Sequence, residues 1–332
     1  MKGIDFNAYG LRPSGSYLSD FYSSLEQAEK AADELMKETA KHTNNVEENK
    51  AADNDAPEKL DLDELLGELD SLIGLEKVKE NVRSLINLVK VRKLRAERDL
   101  PTPAMSLHLV FMGNPGTGKT TVARLVAKLY HSIGVLSKGQ LVEVDRSGLV
   151  AGYVGQTAIK TKEAVDKALG GVLFIDEAYA LTSSTGQNDF GREAVDTLLK
   201  AMEDHRDDFV VIVAGYDDLM EDFISSNPGL ESRFNRYLVF DDYSGQQLTE
   251  IFLSMCAKNK YTLEADAEKY AAEIFTRLYE ERDDNFGNAR DVRNFFENVI
   301  TVHSDRIAPL DSPSDEDLVT VKLCDLKNAE KM

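Results

Sequence analysis

Basic side chains are scarce in this sequence of 332 residues: 39 Lys and Arg stand against 59 Asp and Glu, a formal net charge of −20. That deficit argues against a non-specific grip on DNA or RNA, which needs clustered cations, and against an anionic membrane surface. Cysteine is nearly absent. Cys256 and Cys324 lie far apart, with no CxxC or Cys/His ligand set, so neither a disulfide framework nor a zinc site is expected and a reducing compartment fits. No apolar run approaches the ~18 residues of a membrane span. The opening residues, Met1-Lys2-Gly3-Ile4-Asp5, hold no apolar signal core. A soluble, cytoplasmic protein is expected, with neither membrane nor nucleic acid as its partner. Its 42% hydrophobic content is ordinary for a globular chain, long enough for one large domain or two smaller ones.

Three stretches differ in pattern. Residues 1–58 are acidic and polar. Positions 20–42 there read as one helix, with Phe21, Leu25, Ala28, Ala32, Leu35 and Met36 near one face, and 43–58 read as a linker. From 59 to 243 apolar runs alternate with helical spacing. Residues 107–112, 141–144, 172–175, 209–213 and 237–242 predict strands, and 75–98, 120–131, 157–169 and 191–205 predict helices. Continuously apolar strands alternating with helices imply an α/β fold, a parallel sheet covered by helices on both faces. From 244 to 332 the pattern becomes mostly helical, with helices expected over 246–258, 266–282 and 289–303, and implies a small C-terminal domain.

Two motifs carry chemistry. The run Gly113-Asn114-Pro115-Gly116-Thr117-Gly118-Lys119-Thr120 fits GxxxxGK[ST] between a predicted strand and a predicted helix. Its glycines allow backbone N–H groups to wrap phosphate oxygens at a helix N-terminus, which makes Asn114 to Thr121 (Asn114, Pro115, Gly116, Thr117, Gly118, Lys119, Thr120, Thr121) candidates for holding a nucleotide. Lys119 is expected to reach the β and γ phosphates and Thr120 to hold Mg²⁺. The second motif is an apolar strand, 172–175, that ends in Asp176-Glu177. Asp176 is placed to order Mg²⁺, and Glu177 to orient or deprotonate an attacking water. His42, His108, His131, His205 and His303 show no metal-ligand spacing, and Asp217-Asp218 reads as a solvated face.

Together with 113–120, the segments VLFIDEAYAL (172–181), NDFGREAVDTLLKAMEDHR (188–206) followed by 211–216, NPGLESRF (227–234) and GNARDVRN (287–294) resemble those of AAA+ ATPases. The likeness is to the group that contains CbbX and stage V sporulation protein K (SpoVK), and it spans about residues 60–310. The resemblance implies ATP and Mg²⁺ as ligands. It implies adenine contacts at Ile73 and Gly74, in a stretch that otherwise reads as a plain helix start. It implies an arginine finger at Arg233 acting in trans, with Arg236 as alternate; an ion pair of Arg233 with Glu231 or Asp241 is the plainer reading. Sensor 2 falls on Arg290, with Arg293 one turn on. Sensor 1 departs from the family pattern, because Tyr216 stands where Asn or Thr is usual. The loop Ala151-Gly152-Tyr153-Val154-Gly155 resembles an aromatic pore loop, with Tyr153, Val154 and Gly155 at its tip, and 183–189 falls near a second pore loop.

The implied function is a homo-oligomeric, hexameric, ATP-driven remodeller that pulls on a protein substrate. The rivals are a nucleotide-controlled switch or scaffold without threading and a nucleic-acid-dependent ATPase. Residues 1–58 are the expected place for adaptor specificity.

Overall fold

The computed structural model describes residues 61–332, apart from 104, 154, 183–189 and 284–285. The helix and linker expected within 1–58, Val154 and the 183–189 segment therefore lie outside the described residues.

The chain enters through α1 (Leu62–Asp70), capped by the Asp61 carboxylate, which accepts the Asp63 N–H. Next comes α2 (Glu76–Ala96), whose Val78, Val82, Leu85, Ile86 and Val89 recur at helical spacing and are buried. Five strands follow: β1 (Leu109–Gly113), β2 (Leu141–Val144), β3 (Val172–Ile175), β4 (Val210–Gly215) and β5 (Tyr237–Phe240). They form one parallel sheet in the order β2-β3-β4-β1-β5. Between them run α3 (Lys119–Ser132), α4 (Arg146–Leu149), α5 (Thr157–Ala168), a 3₁₀ turn (Ala178–Leu181), α6 (Gly191–Asp204), α7 (Asp217–Ser225) and α8 (Pro228–Arg233).

Every residue of β1, β3 and β4 is buried. The reason is two-sided covering. Phe111, Phe174 and Ile212 pack against α1, α2 and α3 on one face. Val110, Met112, Leu173, Ile175, Val211 and Val213 pack against α5, α6 and α7 on the other. Alternate side chains thus serve opposite cores, which is why the strands read as unbroken apolar runs.

The C-terminal layer has its own core around Leu248, Phe252, Phe275, Val292 and Leu326. It is built from α9 (Gly245–Lys258), α10 (Ala265–Glu280), α11 (Ala289–Ile307), α12 (Asp315–Val319) and α13 (Leu323–Ala329). A capping box starts α9: Ser244 Oγ accepts the Gln247 N–H at 3.3 Å, and Gln247 Oε1 accepts the Ser244 N–H at 2.9 Å. The layer is not purely helical. β6 (Thr262–Leu263) and β7 (Thr320–Val321) form a short parallel pair, too brief for a periodic signal.

Six helices escaped the sequence pattern for the same reason: α1, α4, α7, α8, α12 and α13 run only 4 to 9 residues. Asn227 caps α8, accepting the Gly229 N–H at 2.7 Å, with Pro228 in the first turn. Among the described residues, no helix is long and apolar enough to cross a membrane.

Candidate functional site

Because the sheet is parallel, the carboxyl ends of β1, β3 and β4 open on one edge, the usual place for a ligand in such sheets. Met112 pairs with Gly215, and Ile175 with Val213. The loop after β1, the Asp176-Glu177 pair after β3 and Tyr216 after β4 are thereby brought side by side. A cavity of about 890 Å³ lies there, between this edge and α9 and α11.

The β1–α3 loop supplies the floor. Gly116 and Gly118 have φ of 72° and 96°, the left-handed region that glycine enters without a Cβ penalty. Gly118 then caps α3, so the helix N-terminus faces the cavity. Gly113, Pro115, Gly116, Gly118, Lys119, Thr120 and Thr121 line it. Asn114 and Thr117 do not. Thr117 is fully buried and its hydroxyl donates to the Asn114 carbonyl at 2.7 Å, while the Asn114 amide donates to Asp242. Those two residues therefore offer a ligand only their backbone N–H groups.

Lys119 Nζ donates to the carbonyls of Gly113 and Asn114 at 2.7 and 2.8 Å. Burial of the ammonium lowers its pKa; the carboxylates of Asp176 and Asp217 oppose that lowering, and Arg290 adds to it. The lysine thus stands between the two acidic strand ends and the arginine from α11.

Asp176 and Glu177 line the cavity and are exposed. Glu177 adopts φ 49°, ψ 44°, uncommon for a non-glycine residue and frequent where a side chain is aimed at a site. The Asp176 carboxylate accepts the Glu177 N–H at 3.1 Å. Thr120 and Asp176 are hard oxygen donors of the kind Mg²⁺ takes. Tyr216 lines the cavity as well, its ring 6.2 Å from that of Tyr179. Asp217 is exposed, as its acidic setting foretold, yet its charge bears on Lys119, so it belongs to the electrostatics of the site.

Arg290 and Arg293 both line the cavity from α11. Asp291, a potential partner for Arg290, instead accepts the Gly287 N–H at 2.8 Å. Ile73, Leu72, Leu75, Ile251 and Met255 add an apolar wall to the lining. Gly74 is not part of that wall and packs against the Gln247 side chain.

Three expected site residues lie elsewhere. Arg233 ends α8 away from the cavity, and its Nη2 lies 3.3 Å from Glu203 Oε2. The ion pair anticipated with Glu231 or Asp241 is thus made with Glu203; Asp241 instead pairs with Lys77 at 2.9 Å. Arg236 turns inward, its Nη2 at 2.9 Å from Met105 Sδ. Tyr153 stands 74% exposed between Gly152 and Gly155, which have open space around them.

Of the histidines, His108 is buried and accepts the Val211 N–H on Nδ1 at 3.0 Å, and burial, aided by Arg233, pushes its pKa down to about 4. Among the described residues no group of His, Cys, Asp or Glu is arranged to hold a metal by itself.

The sequence pattern had not singled out Tyr243, Asp242 and Asn288. Tyr243 is buried and its hydroxyl donates to the Thr117 carbonyl at 3.1 Å. Burial raises its pKa to about 12. Each belongs to the join between the sheet and the C-terminal layer, and only Asn288, beside Arg290 in the GNAR run, stands near a recognised motif.

The family model described as "ATPase family associated with various cellular activities" matches residues 109–242, and the AAA lid domain model matches 244–332. Stage V sporulation protein K of Bacillus subtilis is 44% identical over 271 residues, covering 81% of this chain and 84% of that protein. CbbX of Cereibacter sphaeroides is 44% identical over 255 residues, covering 75% and 82%. The chloroplastic ribulose bisphosphate carboxylase/oxygenase activase of Cyanidioschyzon merolae is 41% identical over 268 residues, covering 80% and 91%. Among solved structures, the AAA domain of FIGL-1 superposes with a TM-score of 0.55 at 19% identity over 79% of this chain and 82% of that one. A Thermotoga maritima RuvB mutant superposes at 0.53 and 20% identity over 79% and 71%. These two structures share the fold.

Proposed function

The chain belongs to the AAA family of ATPases, in the group of stage V sporulation protein K and CbbX, and from that premise we propose a Mg²⁺-dependent, ring-forming ATPase that pulls on a protein substrate. We read 59–243 as its nucleotide-binding body and 244–332 as its lid. The observation that carries the reading is one cavity in which Lys119, Thr120, Asp176, Glu177 and Arg290 meet.

In this reading ATP lies with its base against the apolar wall that includes Ile73. Its phosphates sit in the loop from Asn114 to Thr121, on the N-terminus of α3. Thr120 and Asp176 hold Mg²⁺, which when bound offsets charge on the phosphate oxygens. Glu177 takes the proton of the attacking water. Lys119 and Arg290 stabilise the charge that develops on the transferred phosphoryl group. Tyr216 faces the same space as a hydroxyl donor in place of the family's usual Asn or Thr.

Arg233 lies on the outside, so it serves a neighbouring subunit's phosphate, which requires a ring; six subunits is the proposed number. Tyr153, exposed between glycines, grips an extended polypeptide through apolar contact that any side chain can meet. The name of one relative, an activase of ribulose bisphosphate carboxylase/oxygenase, fits a protein as the class of substrate.

The test is the solution mass of Glu177→Gln by light scattering, with and without ATP. The expected result is a shift to about six times the 36.9 kDa protomer in ATP, with turnover lowered by roughly 10²–10⁴. A monomer in saturating ATP would overturn the ring, and threading with it.

A further inference from the structure

Behind the cavity, one half-buried carboxylate joins the lid to the phosphate loop. Asp242 Oδ1 accepts the Asn288 side-chain amide at 2.7 Å. The two oxygens of Asp242 also accept the Asn114 amide at 3.0 and 3.2 Å. Asn114 carries the contact onward, because its carbonyl accepts Lys119 Nζ at 2.8 Å. The lid therefore touches the catalytic lysine through two side chains and one carbonyl.

Asn288 is held unusually firmly. It is fully buried, and its Oδ1 accepts the Tyr243 N–H at 2.9 Å. Its neighbour Ala289 donates its N–H to the Gly116 carbonyl at 3.2 Å. Its backbone sits at φ 52°, ψ −126°, a combination that glycine adopts far more cheaply than asparagine. A side chain kept at a glycine-like position, with its oxygen and nitrogen both bonded across the join, marks the side chain as the reason for the residue.

We propose that Asn288 and Asp242 are positioning residues for ATP hydrolysis. The relay Asn288–Asp242–Asn114 makes the start of α11, which bears Arg290, and the loop that bears Lys119 move as one body. Lid rotation then changes the setting of Lys119, and the shape of the loop changes the angle of the lid. This rests on the reading of the cavity as an ATP site.

The experiment is a double-mutant cycle on the full chain, Asn288→Gly with Asn114→Ala, reading kcat and KM for ATP together with Tm. Each single change is expected to lower kcat/KM about tenfold, as for loss of a charge-assisted hydrogen bond. Because both act through the same carboxylate, the double variant is expected to be no worse than the more severe single one. Glycine relieves the strain at 288, which offsets the lost bonds of the side chain to Tyr243 and Asp242, so Tm should hold while kcat/KM falls, a divergence that a merely structural residue would not produce. Multiplicative losses in the double variant, or Tm and activity falling together, would overturn the relay. Should Asn288→Gly not fold, Asp242→Asn replaces it in the cycle, where a double variant no worse than the more severe single one supports the relay and multiplicative losses overturn it. A wild-type chain that neither binds nor hydrolyses ATP would instead sink the reading of the site.

Discussion

Arg233 Nη2 lies 3.3 Å from Glu203 Oε2, joining the end of α8 to α6. The pair is partly solvent-exposed, and such pairs contribute about 0.2–1 kcal/mol. An interaction that weak restrains the guanidinium without committing it, leaving it open to a stronger anion. Glu203→Gln is expected to change Tm by no more than about 2 °C and to leave turnover within about twofold.

The trans role of Arg233 has a sharper test. Arg233→Ala and Glu177→Gln chains should each be nearly inactive alone. Mixed rings should regain ATPase activity, because an Arg233→Ala subunit keeps Glu177 and borrows Arg233 from its neighbour. No recovery on mixing, with assembly verified by light scattering, would place the arginine's action within its own subunit or outside catalysis.

Two glycines of similar backbone make a contrast. Gly116 has φ 72°, and a Cβ there would collide with the Gly287 carbonyl of the lid. Gly155 has φ 79° and open space around it. Gly155→Ala should cost only the left-handed strain, roughly 1–2 kcal/mol, with nucleotide affinity unchanged. Gly116→Ala should weaken ADP binding at least about tenfold as well, because the loop and lid must part. Calorimetric titration with ADP alongside thermal melts separates the two.

His108 gives the fold an acid-sensitive component. In the unfolded chain the imidazole takes a proton near pH 6.5, but burial holds it neutral in the fold down to about pH 4. The unfolded state binds more protons in that window, so this contribution is complete above about pH 6.5 and is lost as pH falls toward 4. Between pH 7.5 and pH 5 it amounts to about 2 kcal/mol. Urea unfolding of the wild type and of His108→Phe should show that difference shrinking in the variant. Equal slopes with pH would mean that other groups govern acid stability.

Tyr153, 74% exposed, should carry function and little stability. Tyr153→Ala is expected to keep Tm within about 1 °C and basal ATPase within about twofold. It should abolish any stimulation of ATPase by an unfolded polypeptide such as carboxymethylated casein, whereas Tyr153→Phe retains it. Stimulation that survives in Tyr153→Ala would remove the ring from the gripping role.

Much of the site was legible in the linear pattern, because its groups sit at fixed short offsets from elements with strong signals. The glycine run follows an apolar strand directly, and Asp176-Glu177 follows another. The main strands and long helices were legible for the same reason: burial on both sheet faces writes an unbroken apolar run, and one-sided helices write a 3.6-residue period. Short elements such as α7, α8 and the β6–β7 pair have too few turns or residues to write a period. Asp217 reads along the chain as a solvated carboxylate, and only the fold brings its charge to bear on Lys119.

By itself, then, the sequence determined the parallel sheet, the glycine-rich loop after β1 and the acidic strand end, all products of local spacing and of hydrophobic burial. Tertiary structure alone decided that Arg233 pairs with Glu203 and that Arg236 turns inward to Met105. It also decided that Asp242 binds Asn114 and Asn288 at once. Those partners lie 30 to 131 positions apart. Such choices depend on how the packed layers bring polar groups within hydrogen-bond reach, and no periodicity along the chain encodes them.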